Sequence, residues 1–278
     1  MTGQGTGEAA RTHQPVNEQG TGEAARAHHG VNEQAPRAPL RPYGRWLGPK
    51  RVALILLLGF LIRLPFIGSD TGITNDTRTF VAWAHAIRAQ GVTNAYVRTG
   101  IDYPPFSLYL LAGAERLEAR LPDDLRRGDR ALIALTKLPA VLADLVLAGL
   151  VMGAVRRRRE ALPVWLTLAG LLYVLHPAVW YVSAYWGQTD SVYTLFVVMA
   201  VMAIARGAVV PAWLVYTLAL ASKLQAIAIA PVLVVWTVTR HGVRGLALGL
   251  AAAGAAAAIL LAPWLRAGNI GDVLTTLY

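Results

Sequence analysis

Long apolar runs dominate this chain from residue 52 onward and constrain its fold more than any other feature. The runs occupy residues 52–67, 131–155, 162–182, 191–205, 209–239 and 246–264. The chain is 55% hydrophobic and 15% charged, which is too apolar for an ordinary soluble domain. Because helices satisfy every backbone polar group within one segment, we predict an all-α integral membrane protein.

The run at 209–239 contains 31 residues, with Lys223 near its middle. As one helix with a rise of about 1.5 Å per residue, it would be longer than a hydrocarbon core of about 30 Å. We therefore predict two short helices that turn near Ser222 and Lys223. This brings the predicted number of transmembrane helices to about seven.

Positive charge predicts the orientation of these seven spans. With a cytoplasmic N-terminus, all the clusters of basic residues fall on the cytoplasmic side. The clusters are Arg37, Arg41, Arg45, Lys50, Arg51, residues 156–159, Arg206, Arg240 and Arg244. The loop 68–130 and the segment 184–191 then lie on the external face of the plasma membrane.

Residues 1–46 differ from the rest of the chain. The 15-residue stretch QGTGEAARTHQPVNE at 4–18 is followed at once by its near copy, QGTGEAARAHHGVNE, at 19–33. These repeats contain almost nothing to bury, so we predict a disordered tail over 1–46 and a membrane module over 47–278. The chain has no cysteine, which excludes disulfides and thiolate metal sites. We attribute the net charge of +10 to topology and anionic membrane lipids rather than to nucleic acid.

Two helices are predicted within the loop 68–130. From Asp76 onward, apolar residues recur on one helical face, and they are Phe80, Trp83, Ala84 and Ile87. Pro104 and Pro105 suit the first turn of a second helix, which begins with an apolar stretch. We expect both to be amphipathic juxtamembrane helices that rest on the external membrane surface.

Three aspartates on the predicted external side are candidate functional residues, namely Asp76, Asp102 and Asp190. Two of them have structural alternatives, Asp76 as an N-cap or first-turn acid and Asp102 as a turn residue. With Arg78, Arg98 and Lys223 nearby in the topology, the three acids suggest base chemistry on an anionic lipid substrate. No cluster of His, Asp and Glu has metal-ligand spacing, so we predict neither a metal nor a cofactor.

Ionisable residues inside apolar runs are costly and are functional candidates by default. Lys137 and Asp144 lie seven residues apart on one helix face, and the structural alternative is that they pair with each other. Lys223 either snorkels to the membrane surface or binds a phosphate there together with Gln225. Trp186, in the segment AYWGQTDS, either belongs to an interfacial aromatic belt or stacks on a sugar ring.

Several motifs in the module carry a family resemblance. Asp76 is followed seven residues later by Trp83, and DYPPFSLY follows at 102–109. Ala-Asp-Leu occurs at 143–145, WGQTD at 186–190 and SKLQAIAIAPV at 222–232. This pattern resembles the GT-C superfamily of membrane glycosyltransferases, in particular dolichyl-phosphate-glucose-dependent α-1,3-glucosyltransferases and their bacterial relatives. That family has Lys and Gln adjacent, whereas here Leu224 separates the two.

The resemblance implies an inverting transfer from a polyprenyl-phosphate monosaccharide donor to a lipid-linked or cell-envelope glycan. Asp76 would be the general base, and Lys223 with Arg98 would stabilise the leaving lipid phosphate. The implied substrate-binding residues are Asp102, Tyr103, Arg98, Trp83, Trp186, Gln188, Asp190, Lys223 and Gln225.

Two other functions stay open. A flippase for lipid-linked sugar would use Lys137 and Asp144 and would need no external base. The resembled family continues with further spans, whereas this chain ends at Tyr278, so we expect a minimal or truncated member. That early end motivates the other alternative, a non-catalytic scaffold of a cell-envelope complex.

Overall fold

A computed structural model of the protein describes residues 49–72, 75–156 and 163–277. The predicted tail at 1–46 and the arginines at 157–159 lie outside the described residues, so disorder of the tail stays a prediction. Within the described ranges the chain folds into helices joined by short turns, and none of these residues forms a strand. The prediction of an all-α protein is confirmed for this part of the chain.

The helices follow the predicted apolar runs, with additional short helices in the loop after the first run. In the described ranges they are α1 (Pro49–Ile67), α2 (Asp76–Gln90), α3 (Ala95–Thr99), α4 (Pro105–Glu118), α5 (Asp123–Arg126), α6 (Arg130–Arg156), α7 (Pro163–Leu175), α8 (Pro177–Trp180), α9 (Asp190–Ala205), α10 (Val209–Ser222), α11 (Ala230–Ala267) and α12 (Ile270–Leu277). A π-helical turn, Tyr181–Trp186, follows α8, and a 3-10 turn, Leu224–Ile229, precedes α11.

Among the described residues, two helical stretches are long and apolar enough to cross a membrane, Arg130–Val155 and Leu224–Ala267. A third candidate is the bent pair Thr167–Leu175 and Pro177–Trp186, whose parts meet at 47°. Helices α9 and α10 are apolar but shorter, with 16 and 14 residues. Seven separate spans therefore stay a prediction.

The long run at 209–239 is broken where the sequence predicts. Helix α10 ends at Ser222, and Lys223 is extended, with φ −157° and ψ 130°. A second break lies inside α11 at Gly242, whose φ of +68° and ψ of −174° fall in a region that is essentially restricted to glycine. Helix α11 therefore consists of two helical parts, and the second contains the last apolar run.

The apolar face predicted for α2 exists, but it is buried inside the protein. Its residues expose at most 7% of their surface, and they are Phe80, Trp83, Ala84 and Ile87. They belong to one cluster with apolar residues of α4, α6, α11 and α12. The prediction that this face rests on the membrane surface is therefore wrong. Helical periodicity identifies an apolar face, but it does not identify what covers that face.

Buried charges connect α1, α6 and the segment after α8. Arg63 Nη2 lies 3.1 Å from Asp144 Oδ2, with both side chains almost wholly buried. Asp144 also accepts hydrogen bonds from Ser183, at 2.6 Å, and from Ser191. The predicted pair between Lys137 and Asp144 is wrong, because seven helical residues span about 10.5 Å and the facing helix supplies Arg63 instead. The Lys137 ammonium contacts backbone carbonyls.

Arg63→Met should destabilise the protein strongly, because it leaves Asp144 as a buried charge without its cation. We expect a loss of about 3–5 kcal/mol in the free energy of unfolding, measured as a lower Tm in detergent. Arg78→Met is the matched control, since Arg78 is 75% exposed where it pairs with Asp70. It should change stability by about 1 kcal/mol at most. Equal Tm values for the two variants would contradict a structural role for the buried pair.

Candidate functional site

Asp76 is the first residue of α2 and follows Asn75 at the cap position. Its Oδ2 accepts hydrogen bonds from Trp186 Nε1 at 2.7 Å and from Gln188 Nε2 at 2.5 Å. These donors and the positive end of the helix dipole all favour the ionised carboxylate. Asp76 is therefore a first-turn acid, as one structural alternative proposed, but it is also held by side chains from a segment 110 residues further along.

Gly187 explains how Trp186 and Gln188 can both reach that carboxylate. The π-helical turn ends at Gly187, whose φ of +86° is left-handed and favours glycine. A Cβ at this position would lie 2.8 Å from Lys137 Cε and 3.1 Å from Thr77 Oγ1. Thr77 itself donates to the Trp186 carbonyl at 3.1 Å. Position 187 therefore favours glycine both for its backbone conformation and for the space around it.

Lys223 enters the site from the break between α10 and the 3-10 turn. Its Nζ donates to Asp190, the first residue of α9, and lies 3.4 Å from Gln188 Oε1. It also lies 5.5 Å from the centre of the Tyr103 ring. Burial lowers the pKa of Lys223, but Asp190 and Tyr103 outweigh burial and leave this pKa above its ordinary value. Lys223 is therefore protonated at neutral pH.

Aromatic rings form one side of the site. The ring centroids of Phe80, Trp83 and Tyr103 lie 5.4–5.6 Å apart. The Tyr103 hydroxyl donates to Gln188 Oε1 at 3.1 Å, and burial raises the pKa of Tyr103. Asp102 is exposed, and among the described residues its carboxylate has no hydrogen-bond or ion-pair partner. Asp102 is thus available to a ligand.

These side chains surround a cavity of about 710 Å³. Seven of the predicted site residues line it, and they are Asp76, Trp83, Asp102, Tyr103, Gln188, Lys223 and Gln225. Trp186 and Asp190 are not among the lining residues, but Trp186 donates to Asp76 and Asp190 accepts from Lys223. The remaining candidate, Arg98, belongs to α3, and its side chain lies outside the described part of the structure.

The sequence did not reveal the residues that fix the backbone segments around the cavity. Thr77 ties α2 to the Trp186 carbonyl, and Thr71 donates to the Tyr185 carbonyl at 2.8 Å. A threonine that binds a distant carbonyl leaves no periodic pattern in the sequence. Gly187 was visible within WGQTD, but its contact with Lys137 depends on the tertiary structure.

The wall combines carboxylates, amides, an ammonium and aromatic rings. Such a set can take a proton from a hydroxyl, hold an anionic group at Lys223 and contact the face of a ring. Among the described residues, no three His, Asp or Glu side chains group closely enough to hold a metal ion.

No protein-family model matches the chain, and no curated protein is significantly similar to it. The resemblance to GT-C glycosyltransferases therefore rests on the short motifs alone. The geometry and chemistry of the cavity are the observations that bear on function.

Gly187→Ala should lower stability through backbone strain and through contact with Lys137 and Thr77. The left-handed conformation alone costs a non-glycine residue about 1–2 kcal/mol. Gly268→Ala is the matched control, since Gly268 has a φ of +76° and, among the described residues, no atom within 4 Å of an added Cβ. We expect a larger fall in Tm for Gly187→Ala than for Gly268→Ala. Equal falls would show that the space at residue 187 is not restrictive.

Proposed function

We propose that the protein is a membrane glycosyltransferase that moves a monosaccharide from a polyprenyl-phosphate donor to a lipid-linked or cell-envelope acceptor with inversion. The observation that carries this proposal is the Asp76 carboxylate, held by Trp186 and Gln188 at the wall of a cavity that also contains Lys223. A base and a cation thus face one space of ligand-binding size. An inverting displacement at a phosphate-activated sugar requires these two groups.

Asp76 acts as the general base in this proposal. The acceptor hydroxyl oxygen attacks the anomeric carbon while the bond from that carbon to the donor phosphate oxygen breaks. Asp76 takes the hydroxyl proton, which turns a weak nucleophile into an effective one. The bonding electrons leave with the lipid phosphate. Attack and departure occur on opposite faces, so the configuration of the anomeric carbon inverts.

Lys223 suits the leaving phosphate because it is protonated and lines the cavity. A fixed cation stabilises the charge that develops on the departing oxygen, so that oxygen needs no proton. Arg98 is proposed as a second cation, since it lies two residues before Gly100, which also lines the cavity.

The rest of the wall suits a saccharide. Trp83 and Tyr103 offer aromatic surface to the apolar face of a sugar ring. Asp102 and Gln225 are exposed polar residues of the same wall and can bind ring hydroxyls. Sugars differ from most other small substrates because they carry many hydroxyl groups on a ring with an apolar face. A lining of aromatic and polar side chains therefore supports a sugar as the substrate class.

In this proposal the apolar helices span the plasma membrane, with a cytoplasmic N-terminus and the cavity on the external face. The two long apolar stretches and the bent pair among the described residues support a membrane location. The flippase alternative depended on a pair between Lys137 and Asp144, and these residues have other partners. Neither that alternative nor a scaffold is favoured by a specific observation.

Asp76→Asn should abolish sugar transfer, because asparagine keeps the shape of aspartate but cannot take the proton. We expect a loss of about 10²–10⁴ in rate. Transfer is measured in membranes that contain the variant, from radiolabelled polyprenyl-phosphate-glucose and polyprenyl-phosphate-mannose to the acceptors present there. Asp123→Asn is the control, since the Asp123 side chain is 96% exposed where it pairs with Arg126 and is not among the cavity residues. Wild-type transfer by well-expressed Asp76→Asn would remove Asp76 as the base.

Lys223→Met should slow transfer at saturating donor by about 10²–10³-fold, the typical loss when one stabilising group of a developing anion is removed. Lys223→Arg keeps the positive charge and should retain more activity. Single-turnover rates of the two variants provide the comparison. Equal impairment of both variants would indicate that the shape of Lys223 matters and not its charge.

A further inference from the structure

We propose that Lys137 is a positioning residue of the cavity. Its buried ammonium fixes the two chain segments that carry Asp76 and the hydrogen-bond donors of Asp76. The expected effect on sugar transfer rests on the proposed function, whereas the effect on the geometry of the two segments does not.

The Lys137 side chain ends among backbone carbonyl oxygens of the described chain and is 1% exposed. Four of these oxygens lie 2.7–3.2 Å from Nζ, and they belong to Phe66, Ser69, Ala184 and Tyr185. The first two lie at the end of α1 and in the loop that leads to Asp76. The last two lie in the π-helical turn that leads to Trp186 and Gln188. One ammonium therefore bridges both segments.

A charged donor suits this position better than a neutral one. Lysine has three N–H donors and no acceptor, and here it faces acceptors alone. The carbonyl oxygens replace the water that the ammonium lost on burial, as carbonyl groups do for cations in ion channels. An apolar side chain would leave the same oxygens without this donor in apolar surroundings, which is costly. Within the described residues no carboxylate lies within ion-pair distance of Lys137, although Asp70 acts on its charge from further away, so its direct partners are these carbonyls.

Weaker contacts join the same segments further along the chain. Thr71 Oγ1 donates to the Tyr185 carbonyl at 2.8 Å, and Thr77 Oγ1 donates to the Trp186 carbonyl at 3.1 Å. In sequence, each segment meets Lys137 before it reaches the cavity. A shift at Lys137 would therefore move Asp76 relative to its donors, although Lys137 does not line the cavity.

Lys137→Met tests this role, because methionine has a similar length but neither charge nor N–H donors. Thr136→Val is the matched control. Thr136 is the preceding residue of α6, is 6% exposed, and donates to the Ile133 carbonyl of its own helix. Hydrogen exchange of the full chain in nanodiscs, followed by mass spectrometry, reports on residues 66–72 and 184–190. Helix α10 serves as the internal reference.

We expect both segments to exchange about tenfold faster or more in Lys137→Met, because hydrogen bonds to a charged group are the stronger ones. Helix α10 and the Thr136→Val protein should keep wild-type exchange. In the transfer assay, kcat should fall about a hundredfold, the typical cost of a misplaced catalytic group. The donor KM should change by a smaller factor than kcat, because Lys137 itself does not line the cavity.

Three results would overturn the proposal. One is unchanged exchange in either segment, and another is faster exchange in all helices alike. The third applies where the wild-type chain transfers sugar, and it is a kcat equal to that of Thr136→Val. If Lys137→Met does not accumulate, Lys137→Gln replaces it, since an amide keeps two donors without the charge. Exchange faster than wild type in both segments, with helix α10 unchanged, supports the proposal, and wild-type exchange overturns it. A wild-type chain that transfers no sugar, with the exchange result intact, would count against the proposed function alone.

Discussion

Charge buried among apolar helices governs the path of the polar loops in this protein. Such charge is costly unless every donor and acceptor finds a partner inside the protein. Lys137 and Asp144 both find partners in the stretch 183–191, through two carbonyls and two hydroxyls. That stretch contains a π-helical turn and the left-handed Gly187 instead of a regular helix. Its irregular path both satisfies the buried charges and brings donors to Asp76.

The sequence identified the buried charges but not their partners. Lys137 and Asp144 share a helix face, which suggested a pair, yet the residues that meet along a helix are three or four apart. Their actual partners lie in other parts of the chain, such as Arg63, 81 residues before Asp144. Nothing in the spacing of α6 could predict a partner at that distance. Tertiary packing alone decides which cation meets which carboxylate.

The helices themselves were largely predictable. The break at Lys223 followed from length and charge, and the apolar face of α2 followed from periodicity. The residues that cover that face could not be predicted, because Trp264 and the residues of α4 in the same cluster are distant from α2 in sequence. The cavity likewise draws Asp76, Asp102, Gln188 and Lys223 from separate stretches. Charge sidedness suggested that Asp76, Asp102 and Lys223 share one face, and the resemblance to a family added Gln188, since no local pattern joins these residues.

The charge of the cavity sets a condition on any phosphate that binds there. Among the described lining residues, the two negative charges of Asp76 and Asp102 exceed the one positive charge of Lys223. An anion is therefore repelled unless Lys223 is available to bind it. Asp190, which holds Lys223, has a side chain that is 42% exposed. Water can therefore solvate Asp190 once its partner turns away. On the proposed function, the lipid phosphate takes the place of Asp190 as the partner of Lys223. The buried pair between α1 and α6 has no such freedom, because its two side chains are 0% and 1% exposed. The two ion pairs therefore differ: the buried one fixes the backbone, and on the proposed function the partly exposed one holds a cation that can exchange its partner for a ligand.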